Sequence, residues 1–177
     1  GVSSLRPILC IPMGGTVPSP IIKERDRDSV GPCALRRGMT IQKAIKELGF
    51  STATEIQLLS IPLVLTGSDL IGQAKTGTGK TAAFGLPMLH LLKPGRTCLV
   101  MVPTRELALQ VSEEIKKFGK YLGTRIVAVY GGASMNEQIF QLQRGYDVIV
   151  ATPGRLLDHM RQGYIDLKDI QFIVLDE

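Results

Sequence analysis

Two short stretches hold residues whose types and spacing can do chemistry. The first is AKTGTGKT, Ala74 to Thr81. It fits the phosphate-binding pattern GxxxxGK[ST], with Ala74 in place of the first glycine and Lys75, Thr76 and Thr78 among the intervening positions. Gly77 and Gly79 permit a left-handed backbone, which a β-carbon would penalise by roughly 1–2 kcal/mol. Such a loop turns successive N–H groups toward phosphate at the start of a helix. Lys80 then supplies charge to the terminal phosphates, and the Thr81 hydroxyl is placed to ligate Mg²⁺. The plain alternative is a glycine-rich turn between a strand and a helix. The second stretch is FIVLDE, Phe172 to Glu177, an apolar run that delivers two carboxylates to its tip. Alone, two such acids are ordinarily just solvated. Behind a phosphate loop they acquire work: Asp176 to hold the metal through water, Glu177 to orient and deprotonate an attacking water.

Three further stretches suit a polyphosphate backbone. PTRE (Pro103, Thr104, Arg105, Glu106) and TPGR (Thr152, Pro153, Gly154, Arg155) each put a threonine where a helix begins, with proline and arginine close by. Helix capping is the structural reading of both. Hydroxyl, free N–H groups and arginine together also suit phosphate oxygens. GGAS adds Gly131 and Gly132, backbone with no side chain in the way. Upstream of the phosphate loop, Thr54 and Gln57 lie in GFSTATEIQ. A glutamine offers both donor and acceptor to the N6 and N7 edge of adenine.

These residues need elements to position them. TIQKAIKELGF has Ile41, Ala44, Ile45 and Leu48 at helical spacing and Gly49 as its stop, and a second helix is predicted from Glu55 to about Leu65. Apolar strands come next at DLIGQ, TCLVMV, RIVAVY, YDVIVA and QFIVL, separated by helices beginning near Lys80, Arg105, Ser134 and Pro153. Strict alternation predicts an α/β fold with a parallel sheet covered on both faces. Ligands of such sheets bind beyond the carboxyl ends of the strands. The five strands lead in turn into AKTGTGKT, PTRE, GGAS, TPGR and DE, so every one of these candidates falls on one edge.

Composition is that of a globular chain, at 177 residues with 44% hydrophobic side chains, and no apolar run reaches the length of a membrane span. The net charge is +5, of which residues 1–38 contribute +3 from six basic and three acidic side chains. That segment has seven glycines or prolines in its first twenty positions and the mixed-charge run KERDRD. It reads as a leader or linker, with the folded unit at 39–177. Cys10, Cys33 and Cys98 show no metal spacing, and a reduced, cytoplasmic setting fits them.

In order and spacing, Thr40 to Glu177 resembles the first RecA-like domain of a DEAD-box RNA helicase. GFSTATEIQ resembles that family's Q motif, AKTGTGKT its motif I and PTREL its motif Ia. Gly131–Gly132 matches its GG motif, TPGR its motif Ib, and VLDE the front of motif II. The resemblance implies a RecA-like P-loop NTPase domain that uses ATP and Mg²⁺. Thr54 and Gln57 would select adenine. Ala74 to Thr81 would hold the phosphates, Thr81 and Asp176 the metal, and Lys80, Asp176 and Glu177 would run hydrolysis. Thr104, Arg105, Gly132, Thr152, Gly154 and Arg155 would grip single-stranded RNA or a short duplex without regard to base sequence.

Some features depart from the family pattern. No Phe, Tyr or Trp precedes Phe50, where the family has an adenine-stacking aromatic, and Ala53 replaces a usual proline. Residues 1–38 match nothing in the family. The chain also ends inside motif II. The resemblance therefore implies a missing second RecA-like domain, with the arginine fingers it carries, and a missing later strand. That strand's place lies between the strands of motifs I and II, so an open slot is expected in the middle of the sheet. Two rival functions are a P-loop ATPase acting on a substrate other than RNA, and a catalytically silent nucleotide- or RNA-binding module.

Overall fold

A computed structural model describes residues 6–10, 32–75 and 77–176. The alternation expected from the sequence is realised as a six-stranded sheet among the described residues. Its strands are β1 (Arg6–Cys10), β2 (Leu70–Gly72), β3 (Thr97–Met101), β4 (Ile126–Val129), β5 (Val148–Ala151) and β6 (Ile170–Asp176). The order across the sheet is β2-β1-β6-β3-β5-β4, and every pairing is parallel. The helices are α1 (Pro32–Glu47), α2 (Glu55–Leu65), α3 (Lys80–Leu91), α4 (Arg105–Phe118), α5 (Met135–Gln143) and α6 (Pro153–Arg161).

Alternate residues of the central strands point to opposite faces, so each face builds its own core. Cys98, Val100, Val148, Val150, Phe172 and Val174 join Phe84, Met88, Leu89, Val111 and Ile115 from α3 and α4. On the other face, Leu99, Ile149, Val127 and Val129 meet Leu142 of α5 and Leu156 of α6. Burial on both faces explains why β3 and β5 read as unbroken apolar runs. Cys98 is fully buried, and that burial pushes its thiol far above the usual range, so it behaves as a core hydrophobe.

Two expectations about the first part of the chain need correction. Residues 1–38 are expected to lie outside the fold, yet Arg6–Cys10 forms β1 in the interior of the sheet. It fills the slot expected to stand open: Ile8 pairs with Leu70 on one side and with Val174 on the other. Averaging composition over the segment hides the run RPILC, a short apolar strand in a glycine- and proline-rich setting. Pro7 is tolerated because pairing with β2 begins only at Ile8, so at Pro7 the strand has a single neighbour. The first helix also starts eight residues before Thr40, at Pro32, a residue suited to a first helical turn. Thr40 sits inside this helix, its hydroxyl donating to the Arg37 carbonyl one turn earlier at 2.8 Å.

Candidate functional site: a nucleotide cradle and a backbone-binding edge

Because all strands run parallel, their carboxyl ends share one edge, and the candidate stretches that follow β2, β3, β4 and β5 emerge there, as does Asp176 at the end of β6. β2 leads into the phosphate loop. Gly79 occupies the N-cap of α3 with φ +81°, and having no side chain it makes no capping bond of its own. The start of α3 therefore faces the loop, in a region the helix dipole makes positive. Lys80 is buried, sharing an apolar space with Ile56, Val64, Leu70 and Phe84. Its stem is fixed by packing, as a lysine that must present its charge at one point requires. Thr81 and Ala74 are half-buried and Lys75 is exposed. Thr78 closes the loop on itself, its hydroxyl donating to the Lys75 carbonyl at 2.7 Å. Thr76 lies outside the described residues.

Asp176 is buried at the end of β6. The register places it opposite Cys10, which lies opposite Gly72, so the loop strand and Asp176 end in the same row. Two strand spacings separate them, about 10 Å. A hard oxygen donor from Thr81 and a carboxylate from Asp176, at the rim of the start of α3, match the donor set Mg²⁺ takes when it is held with phosphate. Among the described residues no cluster of three or more His, Cys, Asp or Glu side chains forms an all-protein metal site. Glu177 lies outside the described residues.

The expected adenine readers touch the phosphate loop itself. Thr54 is the N-cap of α2, and its hydroxyl donates to the Thr78 carbonyl at 2.8 Å. The Gln57 side-chain amide donates to the Gly79 carbonyl at 3.2 Å, while its oxygen accepts from the Thr54 N–H at 3.1 Å. The start of α2 is therefore strapped to the loop by both residues. This contact had no signature in the sequence.

The two threonines of the backbone-binding candidates differ. Thr104 caps α4, its hydroxyl accepting from the Leu107 N–H at 3.2 Å. Thr152 holds the N-cap position of α6 but makes no capping bond, and Pro153 takes the first helical position. Thr104 uses one hydroxyl lone pair on its helix and keeps its proton to donate, whereas the Thr152 hydroxyl makes no capping bond at all. Pro103, Thr104, Arg105, Gly131, Gly132, Pro153 and Gly154 are all exposed.

The arginines do more than wait for phosphate. Arg105 donates to the Gly132 carbonyl at 3.2 Å and lies over the Tyr130 ring, 5.3 Å from its centroid. Gly132 adopts φ +75°, and a β-carbon there would sit 3.4 Å from the Arg105 guanidinium. Arg155 donates to the Ala133 carbonyl at 3.1 Å and to Gln138 at 3.3 Å, with only 14% of its side chain exposed. Sequence reasoning missed Gln138 and His159, both buried. The available signal was a polar residue at the core-facing register of each helix: Gln138 between Met135 and Leu142, and His159 one turn beyond Leu156. The opposite edge of the sheet is structural. There Asp147 accepts from Arg125 through both carboxylate oxygens, 2.9 and 3.1 Å. Burial pushes the Asp147 carboxyl up, but the Arg125 hydrogen bonds outweigh it and hold it below the usual range.

Comparison with known proteins agrees with this fold. The family model described as DEAD/DEAH box helicase matches residues 54–177. The ATP-dependent RNA helicase DeaD of Haemophilus influenzae is 50% identical over 141 residues, covering 77% of this chain and 23% of that protein. The DEAD-box ATP-dependent RNA helicase CshA of Bacillus subtilis is 46% identical over 140 residues, covering 77% and 28%. A crystal structure of a hypothetical ATP-dependent RNA helicase from Sulfolobus tokodaii superposes with a TM-score of 0.74 at 45% identity, covering 78% of this chain and 41% of that one. The chain thus spans about a quarter of the length of the curated relatives it matches.

Proposed function

The chain belongs to the DEAD/DEAH box helicase family, and from that premise we propose that it is the ATP-binding part of an RNA helicase. In this reading the phosphate loop and the tip of β6 take Mg²⁺–ATP. The loops after β3, β4 and β5 take the sugar–phosphate backbone of single-stranded RNA or a short duplex. The whole protein couples ATP hydrolysis to local strand opening, with a second RecA-like domain closing over the edge. The observation that carries the reading is the shared edge: the start of α3 with its buried Lys80, the buried Asp176 in the same row as Gly72, and exposed loops suited to phosphate all lie at the carboxyl ends of the strands.

Each residue then has a task. The N–H groups at the start of α3 and the Lys80 ammonium bind the phosphate oxygens. Thr81 and Asp176 would hold Mg²⁺, whose charge favours electron build-up on the phosphates. Glu177 orients a water and takes its proton. Thr104, Arg105, Gly131, Gly132, Thr152, Pro153, Gly154 and Arg155 form a surface that contacts backbone and no base edges, which makes binding indifferent to sequence. No described helix is long and apolar enough to cross a membrane, and a cytoplasmic setting accords with the reading.

Asp176→Asn tests the metal assignment. ADP affinity measured by calorimetry with Mg²⁺ should fall at least tenfold in this variant, and affinity in EDTA should not change. Equal affinity with Mg²⁺ would remove Asp176 from the metal site. Gln57→Ala tests the base reader. It should weaken ADP binding, because the loop loses its strap, and should also lower the preference for ADP over GDP. If both affinities fall together and the ratio holds, Gln57 serves the loop alone.

A further inference from the structure

We infer that Gln138 is the positioning residue that locks the Tyr130–Ser134 loop to the start of α6, making the loops after β4 and β5 one rigid surface. This rests on the RNA-binding reading above and adds a device to it. The Gln138 side chain is buried, and both its nitrogen and its oxygen are hydrogen-bonded. Its nitrogen donates to the Tyr130 carbonyl at 2.9 Å. Its oxygen accepts from Arg155 at 3.3 Å and faces the His159 Nε2 at 3.0 Å.

The neighbours fix every orientation in this network. The Tyr130 carbonyl can only accept and the Arg155 guanidinium can only donate, so the amide has one possible orientation. The Gln138 oxygen then faces His159, and the His159 proton must sit on Nε2. The Nδ1 atom is buried without a hydrogen-bond partner, so a second proton there would have no acceptor. Arg155 reaches past Gln138 to the Ala133 carbonyl. With Arg105 on Gly132, the carbonyls of Tyr130, Gly132 and Ala133 are all taken up by donors of the protein. Carbonyl oxygens are the groups in a bare loop that repel a phosphate. Holding them to internal donors makes the loop compatible with an anion, and Gln138 joins Arg155 in tying the loop to α6, bonding the Tyr130 carbonyl on one side and Arg155 on the other.

The scheme divides labour between the arginines. Arg105 is exposed and contributes charge to RNA, whereas Arg155 is mostly covered and contributes shape. The test uses this chain, a single-stranded oligo(U) probe and a series of salt concentrations. Gln138→Met keeps the volume and removes the bonds. It should weaken oligo(U) binding about tenfold, since buried groups lose their partners, with the salt slope and ADP affinity unchanged. Amides of Gly131–Ser134 should exchange faster. Arg105→Ala should instead shallow the slope by about 0.7. Gln138→Glu keeps acceptors for Arg155 and His159 but loses the donor to Tyr130, so its affinity should be intermediate. Wild-type affinity in Gln138→Met, or in Gln138→Glu if the Met variant does not fold, overturns the inference. No salt-dependent oligo(U) binding by the unaltered chain would instead sink the RNA-binding reading itself.

Discussion

Gly79→Ala should cost this chain more stability than Gly77→Ala, and should abolish measurable nucleotide binding. Both glycines have left-handed backbones, φ +81° and +76°. An alanine at either position carries a penalty of roughly 1–2 kcal/mol. Their surroundings differ. A β-carbon on Gly77 meets nothing within 4 Å, whereas one on Gly79 would sit 2.3 Å from the Gln57 side-chain nitrogen. Gln57 would have to swing away, losing its bond to the Gly79 carbonyl and disturbing its hold on the Thr54 N–H. Each such loss costs about 1 kcal/mol. Gly79 is also the N-cap of α3, so the displaced backbone is the one that must face phosphate. Since every 1.4 kcal/mol is about a factor of ten, the combined penalty should weaken ADP at least a hundredfold. Denaturant unfolding of the nucleotide-free chain separates the two effects. If the collision is real, Gly79→Ala combined with Gln57→Ala will be less destabilised than the sum of the single variants, because the second change removes the obstacle. Strict additivity would mean that Gln57 does not rest against the loop.

That contact marks how far the sequence could be read. The strand–helix alternation was legible from Leu70 onward because apolar runs and capping residues are local signals. The boundaries of α2, α3, α4 and α6 fall where Glu55, Lys80, Arg105 and Pro153 suggested. The common edge came from topology alone, since parallel strands leave all their carboxyl ends on one side. Partners across the fold were not legible. Arg155 beside a threonine and a proline suits a phosphate, and nothing local reveals that the Ala133 carbonyl and Gln138 stand in its path. His159 and Gln138 stand at core-facing positions of two separate helices, and nothing local says that the two side chains meet at 3.0 Å. The strand at Arg6–Cys10 was hidden for another reason. Five residues carry too little pattern to stand out, and their place in the sheet depends on β2 and β6, more than fifty residues away.

Breaking that strand should have the largest effect on the fold. β1 pairs along its full length with β6, from Arg6 opposite Phe172 to Cys10 opposite Asp176, and with all of β2. β2 is only three residues long, and β1 is its one strand neighbour in the sheet. The strand that launches the phosphate loop is therefore attached to the sheet through β1. Ile8→Pro removes an N–H from an interior strand and adds a ring where the ladder must close. Buried backbone groups left without partners cost about 1–3 kcal/mol each, and several on β2 and β6 would be affected. The expected result is local in the first instance. Hydrogen exchange should show Leu70–Gly72 and the β6 amides that face β1 losing protection, while β3, β5 and β4, and the β6 amides that face β3, keep theirs. ADP binding should fall with the loss at β2, because the loop and Asp176 no longer share a row. A chain lacking residues 1–11 should behave like Ile8→Pro, since both remove the same ladder. Unchanged protection of β2 and β6 in both variants would show that Arg6–Cys10 does not pair in the sheet, and that β2 is held by α2 and α3 instead.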